Sequence, residues 1–255
     1  MELTFADTAR SFSANALEVE RLLTFDRLII DVAVGGLKHI EAALEERNLH
    51  SVLPVVQHRA TMLSNIAVSG SLRPQYAAMF NQCVVLLVSY FGAAAHTLFR
   101  QGVAAALTTG ADVAAAKDEL KISWRAVSQA ESDREVMFAG LLIAQYNISF
   151  QDMQSIYRAF EKHLGVTLER SAGLNDIIMG QAARHAIVHA GGAADSKLIR
   201  QVAGAHPRGL MPQVELGEHI RFQPSDVRLL AASMTACVGS IVDALNAALT
   251  QWQGA

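Results

Sequence analysis

The chain has 255 residues, of which 51% are apolar and 18% charged, with 17 glycines and five prolines. That balance excludes a disordered or collagen-like chain, and the length can bury a core without a disulfide or metal staple. The net charge of −3 argues against a broad nucleic-acid coat, which would be basic, but leaves room for a local cationic site.

Frequent alanine and long stretches at the 3.6-residue period predict an almost entirely helical protein. A first helical region is expected from about Ala14 to Glu46, kinked at Gly35-Gly36. Pro54 suits the first turn of a second helix ending near Ser69-Gly70-Ser71. Pro74 should open a third, running to about Leu107 and carrying the apolar run from Cys83 to Ala95. That run is shorter than the roughly 18–20 apolar residues of a membrane span, so it reads as a buried core helix. Cys83 and Cys237 both sit in apolar runs and read as small buried hydrophobes of a reducing compartment. With no secretory signal at Met1-Glu2-Leu3-Thr4, the expectation is a soluble, cytoplasmic protein.

Thr108-Thr109-Gly110 reads as a break, followed by an amphipathic helix over about Asp112 to Ser132. The charges over residues 117–134 read as a solvated face. Ser149 is expected to cap a helix with Phe150, Met153, Ile156, Tyr157, Phe160 and Leu164 on one face, stopped by Gly165. The next helix should run from about Gly173 to His189 and stop at Gly191-Gly192, with a short helix over Asp195 to Val202. The stretch from Gly204 to Gln223 is irregular, with Pro207 and Pro212, and Val214 to Phe222 suits a short strand. Ser225 should cap a final helix reaching about Trp252.

No phosphate loop, GxGxxG, HExxH, GxSxG or CxxC motif is present, which disfavours Rossmann, P-loop and serine hydrolase chemistry. The informative segment is QAARHAIVHAGGAAD, which places Arg184, His185 and His189 in the last turns of one helix. A helix C-terminus favours imidazolium and so raises a nearby histidine's pKa. Arginine supplies a permanent charge in a planar fork suited to phosphate. Together these groups can cleave a phosphodiester without a metal: histidine moves protons and arginine stabilises phosphoryl charge. Arg184 and His189 are five apart, about 140° around a regular helix, whereas His185 and His189 share a face. Two other readings fit the same residues. Leu174, Ile178, Ala182, His185 and His189 form a stripe that could be a buried face, with Arg184 a solvated cap. The paired histidines also have metal-ligand spacing, but lack a third ligand nearby and have Ala186 in place of a following Glu.

The run RHAIVHAGG resembles the signature of the HEPN superfamily, most closely its RiboL-PSP-type branch. That superfamily is defined by Arg, four residues and His, with a polar residue often directly after the Arg; the matching positions are Arg184, His185 and His189. NQCVVLLVSYF resembles its long first core helix, and ISFQDMQSIYRAFEKHLGVTL the helix before the motif helix. LGEHIRF and the helix after it resemble the closing segment. Two features depart from the family: Val88-Ser89-Tyr90-Phe91-Gly92 lacks an acidic residue many members carry, and Ala190-Gly191 stands where some have a Tyr.

The resemblance implies an all-α, HEPN-like helical bundle in a single domain. Its core would span about residues 75–253, with an N-terminal helical extension over 1–70 and a helical insert over 108–147. It implies a homodimer paired through the motif helices, a possible antitoxin or regulatory protein partner, and no cofactor, metal or membrane. It implies metal-independent endoribonuclease activity by 2′-hydroxyl attack, in a toxin–antitoxin, stress or antiviral defence setting. His189 would then be the acid/base, Arg184 the phosphate holder and His185 the residue orienting the pair. The alternative is a non-catalytic dimerisation or protein-interaction module on the same fold. His39, His58, His96 and His163 read as solvated or core residues, and Arg208 and Arg221 could add phosphate contacts.

Overall fold

A computed structural model describes residues 4–69, 77–114, 134–210 and 214–254. The described residues are all-helical. In chain order they form α1 (Phe5–Leu22), α2 (Phe25–Glu46), α3 (Leu53–Ser69), α4 (Ala77–Thr109), α5 (Arg134–Tyr146), α6 (Met153–Leu164), α7 (Leu174–His189), α8 (Ser196–Ala203) and α9 (Pro224–Gly254). The helix expected over 112–132, its solvated face, and Pro74 and Pro212 lie largely or wholly outside the described residues.

The centre is the pair α4 and α9, with α1 laid across both, α5 and α6 on α4, and α7 against α4 and α9. Phe99 is fully buried on α4. Its ring centroid lies 5.5 Å from that of Phe150 and 5.5 Å from that of Phe160, joining α4 to α6 and to the loop before it. Such tilted and edge-on contacts add to the burial of the rings. Both cysteines are free and buried, and burial pushes the Cys237 thiol up to about 11.

The N-terminal region divides at Leu23-Thr24, between α1 and α2, and not at Gly35-Gly36, which lie inside α2 with room around them. Thr4 closes α1 with a capping box: its hydroxyl accepts from the Asp7 amide, and its own amide donates to Asp7. Within residues 4–69, α1 belongs to the packed body, whereas α2 and α3 pack mainly on each other as a hairpin. Asp152, not Ser149, caps α6, accepting from the Ser155 amide at 2.8 Å. Gly165 ends that helix at φ 67°, a left-handed value that favours glycine. The last helix starts at Pro224, a residue before the expected cap, with the Asp226 carboxylate receiving the Gln223 amide at 2.7 Å.

No regular strand exists among the described residues; the segment around 214–222 makes one isolated antiparallel bridge, Ala193 with His219. It is tied down instead by side chains. Asn81 donates to the Ile220 carbonyl at 2.8 Å and accepts from the Phe222 amide at 3.2 Å.

Two helices, α4 from Ala78 and α9, are long and apolar enough to cross a membrane by length and composition. The short apolar run read from the sequence therefore understates α4. Both pack on each other and on α1, and 44% and 50% of their most apolar windows are buried.

Phe99→Ala should lower unfolding free energy by about 3–5 kcal/mol through the cavity it leaves. Chemical denaturation checks this, and a loss well under about 1 kcal/mol would show that the ring is not central to the core.

Candidate functional site

The placement of the motif residues follows from which face of α7 is buried. Small residues let α7 approach its neighbours closely: Gly180, Ala182, Ala183 and Ala186 are all buried. A Cβ on Gly180 would lie 2.8 Å from Leu230 of α9, so glycine sets that approach. With Ile177 and Met179 these residues form the buried side. The stripe from Leu174 to His189 is therefore mixed: Ala182 is buried, and Leu174 and Ile178 pack half-buried against the core. His185 is half-buried and His189 exposed.

The helix end is fixed by backbone groups. Ala186 accepts from the Ala190 and Gly192 amides at 2.9 and 3.1 Å, and Gly191 and Gly192 take φ of 62° and 82°. The chain then turns into α8, capped by Asp195, whose carboxylate accepts from the Leu198 amide at 2.7 Å.

A groove of about 1230 Å³ opens between α4, the α5–α6 loop, α7 and α8. Arg184 and His185 line it from α7, Lys197 from α8 and His96 from α4. Among the described residues, Asp152 is the one carboxylate in its lining, and it is engaged as the α6 cap. Arg184 and Lys197 make no ion pair among the described residues, so a cationic strip faces an open groove in an acidic chain.

His189 lies outside the groove lining but stacks beside it. Its ring centroid is 4.8 Å from that of His185, with the planes 49° apart. His185 thus shares the groove lining with Arg184 and a ring contact with His189. His185 is held below the ordinary histidine value of 6.5, first by desolvation, then by the charges of Lys197 and His189. This corrects the expectation that the helix end would raise it, because neighbouring cations and burial outweigh the helix terminus. At neutral pH His185 is therefore uncharged and able to accept a proton or a hydrogen bond.

Other features were not visible in the sequence. His96, read as solvated or core, is half-buried in the groove wall with its ring edge-on to Phe150. Burial and Arg100 push its pKa down. Gln181 is 7% exposed and also lines the groove. Its carbonyl oxygen accepts from the Met153 amide at 3.0 Å, but its amide nitrogen is buried with no partner among the described residues. An unsatisfied buried donor of this kind costs about 1–3 kcal/mol. Gly92 lets the loop approach α4, since a Cβ there would lie 3.0 Å from the Phe150 carbonyl oxygen.

Arg208 has a structural task. It donates to the Val202 carbonyl at 2.7 Å and the Ala205 carbonyl at 3.3 Å, closing the end of α8. Arg221 is exposed and lies outside the groove lining. Among the described residues no three His, Cys, Asp or Glu side chains gather as a metal site. His39 and His58 are exposed, and His163 is buried against Phe99 and Tyr146.

No family model, curated protein or solved structure matches this chain.

The electrostatics give a direct test. Below its ordinary value, His185 resists protonation first because it is desolvated and then because Lys197 repels the charge. In an NMR titration the His185 ring should change charge below pH 6.5, and Lys197→Ala should move that midpoint upward. A midpoint above 6.5, or a downward shift in the variant, would contradict this geometry.

Proposed function

We propose that this protein is a metal-independent endoribonuclease of HEPN type, with Arg184, His185 and His189 as its site. The observation that carries the reading is the arrangement of these side chains: an arginine with no ion pair among the described residues lines an open groove, beside a histidine whose ring meets that of an exposed one. The sequence resemblance of RHAIVHAGG supplies the assignment to RNA.

In this reading Arg184 holds the scissile phosphate and stabilises charge on its oxygens. The adjacent ribose 2′-hydroxyl attacks phosphorus, the 5′-oxygen leaves, and a 2′,3′-cyclic phosphate forms. His189 is exposed and free to move protons between these oxygens; His185 orients it through the tilted contact of the two rings. Arg184 faces the groove and His189 the outer surface, so one protomer offers each half of the chemistry on a different side. A homodimer paired through α7 would bring the arginine of one copy to the histidine of the other. Exposed Val188 and Leu216, on α7 and on the segment bridged to the turn after it, offer apolar surface for such pairing. The core of the HEPN-like unit would then span about residues 75–253. The setting is cytoplasmic defence, stress or toxin–antitoxin control, with an antitoxin or regulatory protein as partner.

A second reading is favoured by α2, which has no buried residue and exposes Leu28, Ile29, Val32 and Ile40. Such a hairpin suits a non-catalytic interaction module.

Purified protein should cleave a mixed RNA pool in EDTA. His189→Ala and Arg184→Ala should each lower the rate by at least about 100-fold while remaining folded, the scale of losing a proton-transfer or charge-stabilising group. Undiminished cleavage by His189→Ala would overturn the catalytic assignment. No cleavage by any form would favour the interaction module.

A further inference from the structure

The groove is larger than a phosphate needs, and its polarity changes with depth. At the mouth stand Arg184, half-buried, and Lys197, exposed. More buried are two lining groups without charge, Gln181 and Phe150, each 7% exposed. His96 lies beside Phe150 and is kept neutral near pH 7 by burial and by Arg100. Phosphate belongs with the cations, because an anion moved to the uncharged floor would lose solvation without gaining a counter-charge. The floor suits a flat, uncharged ring bearing hydrogen-bond acceptors.

Gln181 supplies the matching donor. Its orientation is fixed, since turning the amide over would set its NH2 against the Met153 amide N–H. The NH2 group is therefore left buried and unpartnered in a residue that borders the groove. Buried donors normally find a partner, and an exception beside an open groove marks where a ligand completes the pair.

We infer that the groove is a nucleobase subsite, in which the amide of Gln181 donates to an acceptor on the base beside the scissile phosphate and so sets sequence preference. The inference rests on the reading of Arg184 as the phosphate holder. Lys197 would hold the next phosphate, and the His96 ring would offer a face to the base. Single-stranded RNA is the form that presents an unstacked base to such a floor.

Binding separates this inference from the cleavage reading. His189→Ala protein in EDTA, which would bind without cutting, is titrated by fluorescence anisotropy with oligo(A), oligo(C), oligo(U) and alternating U–G dodecamers. The expected result is a preference of about tenfold between best and worst sequence, the scale of one buried hydrogen bond. Gln181→Glu keeps an acceptor for Met153 but removes the donor, and should reduce the preference to within about threefold. Lys197→Ala should weaken all sequences alike and flatten their salt dependence. Should Gln181→Glu melt early, His96→Ala removes the ring of the same floor and should also erode the preference. Equal binding of all four sequences would overturn the subsite while leaving the ribonuclease reading in place. A preference unchanged in the folded Gln181→Glu protein, or in His96→Ala if that protein misfolds, would do the same. Failure to bind any of them would overturn both.

Discussion

The close seating of α7 on α4 and α9 is the constraint on which the site depends. Gly180 and the buried alanines share the inner side with Ile177 and Met179, and at Gly180 the backbone comes close to Leu230. Arg184 and His185 reach the groove, and His189 reaches solvent, because the opposite face is used for packing. A bulkier residue at position 180 would act on the site without touching it.

Around that helix the polar anchors keep the neighbouring backbone in place. Asp176, itself buried in α7, accepts from the Gly209 and Leu210 amides at 2.6 and 2.9 Å. Asn175 donates to the Pro207 carbonyl, and Arg208 closes α8. The irregular segment after the motif is thereby tied to the motif helix, and α8 is held where Lys197 can influence His185. Asp195 and Asp152 are both engaged as helix caps, which leaves Arg184 and Lys197 unpaired among the described residues. An acidic chain thus presents a local cationic surface by its choice of side-chain partners, not by composition.

Much of the fold was legible because it rests on local chemistry. The stops at Gly165 and Gly191-Gly192, the short helix after Asp195 and the apolar face of α6 follow from glycine conformations and period. Boundaries failed where two signals competed. Ser149 and Asp152 both precede α6, and the one with the right offset to an amide won. The Val214 to Phe222 run has strand composition but finds no partner strand, so it is pinned by Asn81 across a separation of 139 residues, which periodicity cannot show. The motif itself was legible, yet its two flanking partners were not. His96 and Gln181 join the groove only because Gly92 admits the α5–α6 loop, a contact between distant segments. The sign of the His185 shift was missed for the same reason, since it comes first from burial and then from Lys197, which lies beyond the turn and reaches back.

The central claim is that this site uses the ribose hydroxyl as nucleophile. It is tested most directly by one matched pair of oligonucleotides: an RNA containing a mapped cleavage position, and the same RNA with a single 2′-deoxy sugar there. The account predicts that wild-type protein in EDTA cuts the first, leaving a 2′,3′-cyclic phosphate, and leaves the second intact at that position. Cleavage of both at the same bond, or ends without a cyclic phosphate intermediate, would contradict it.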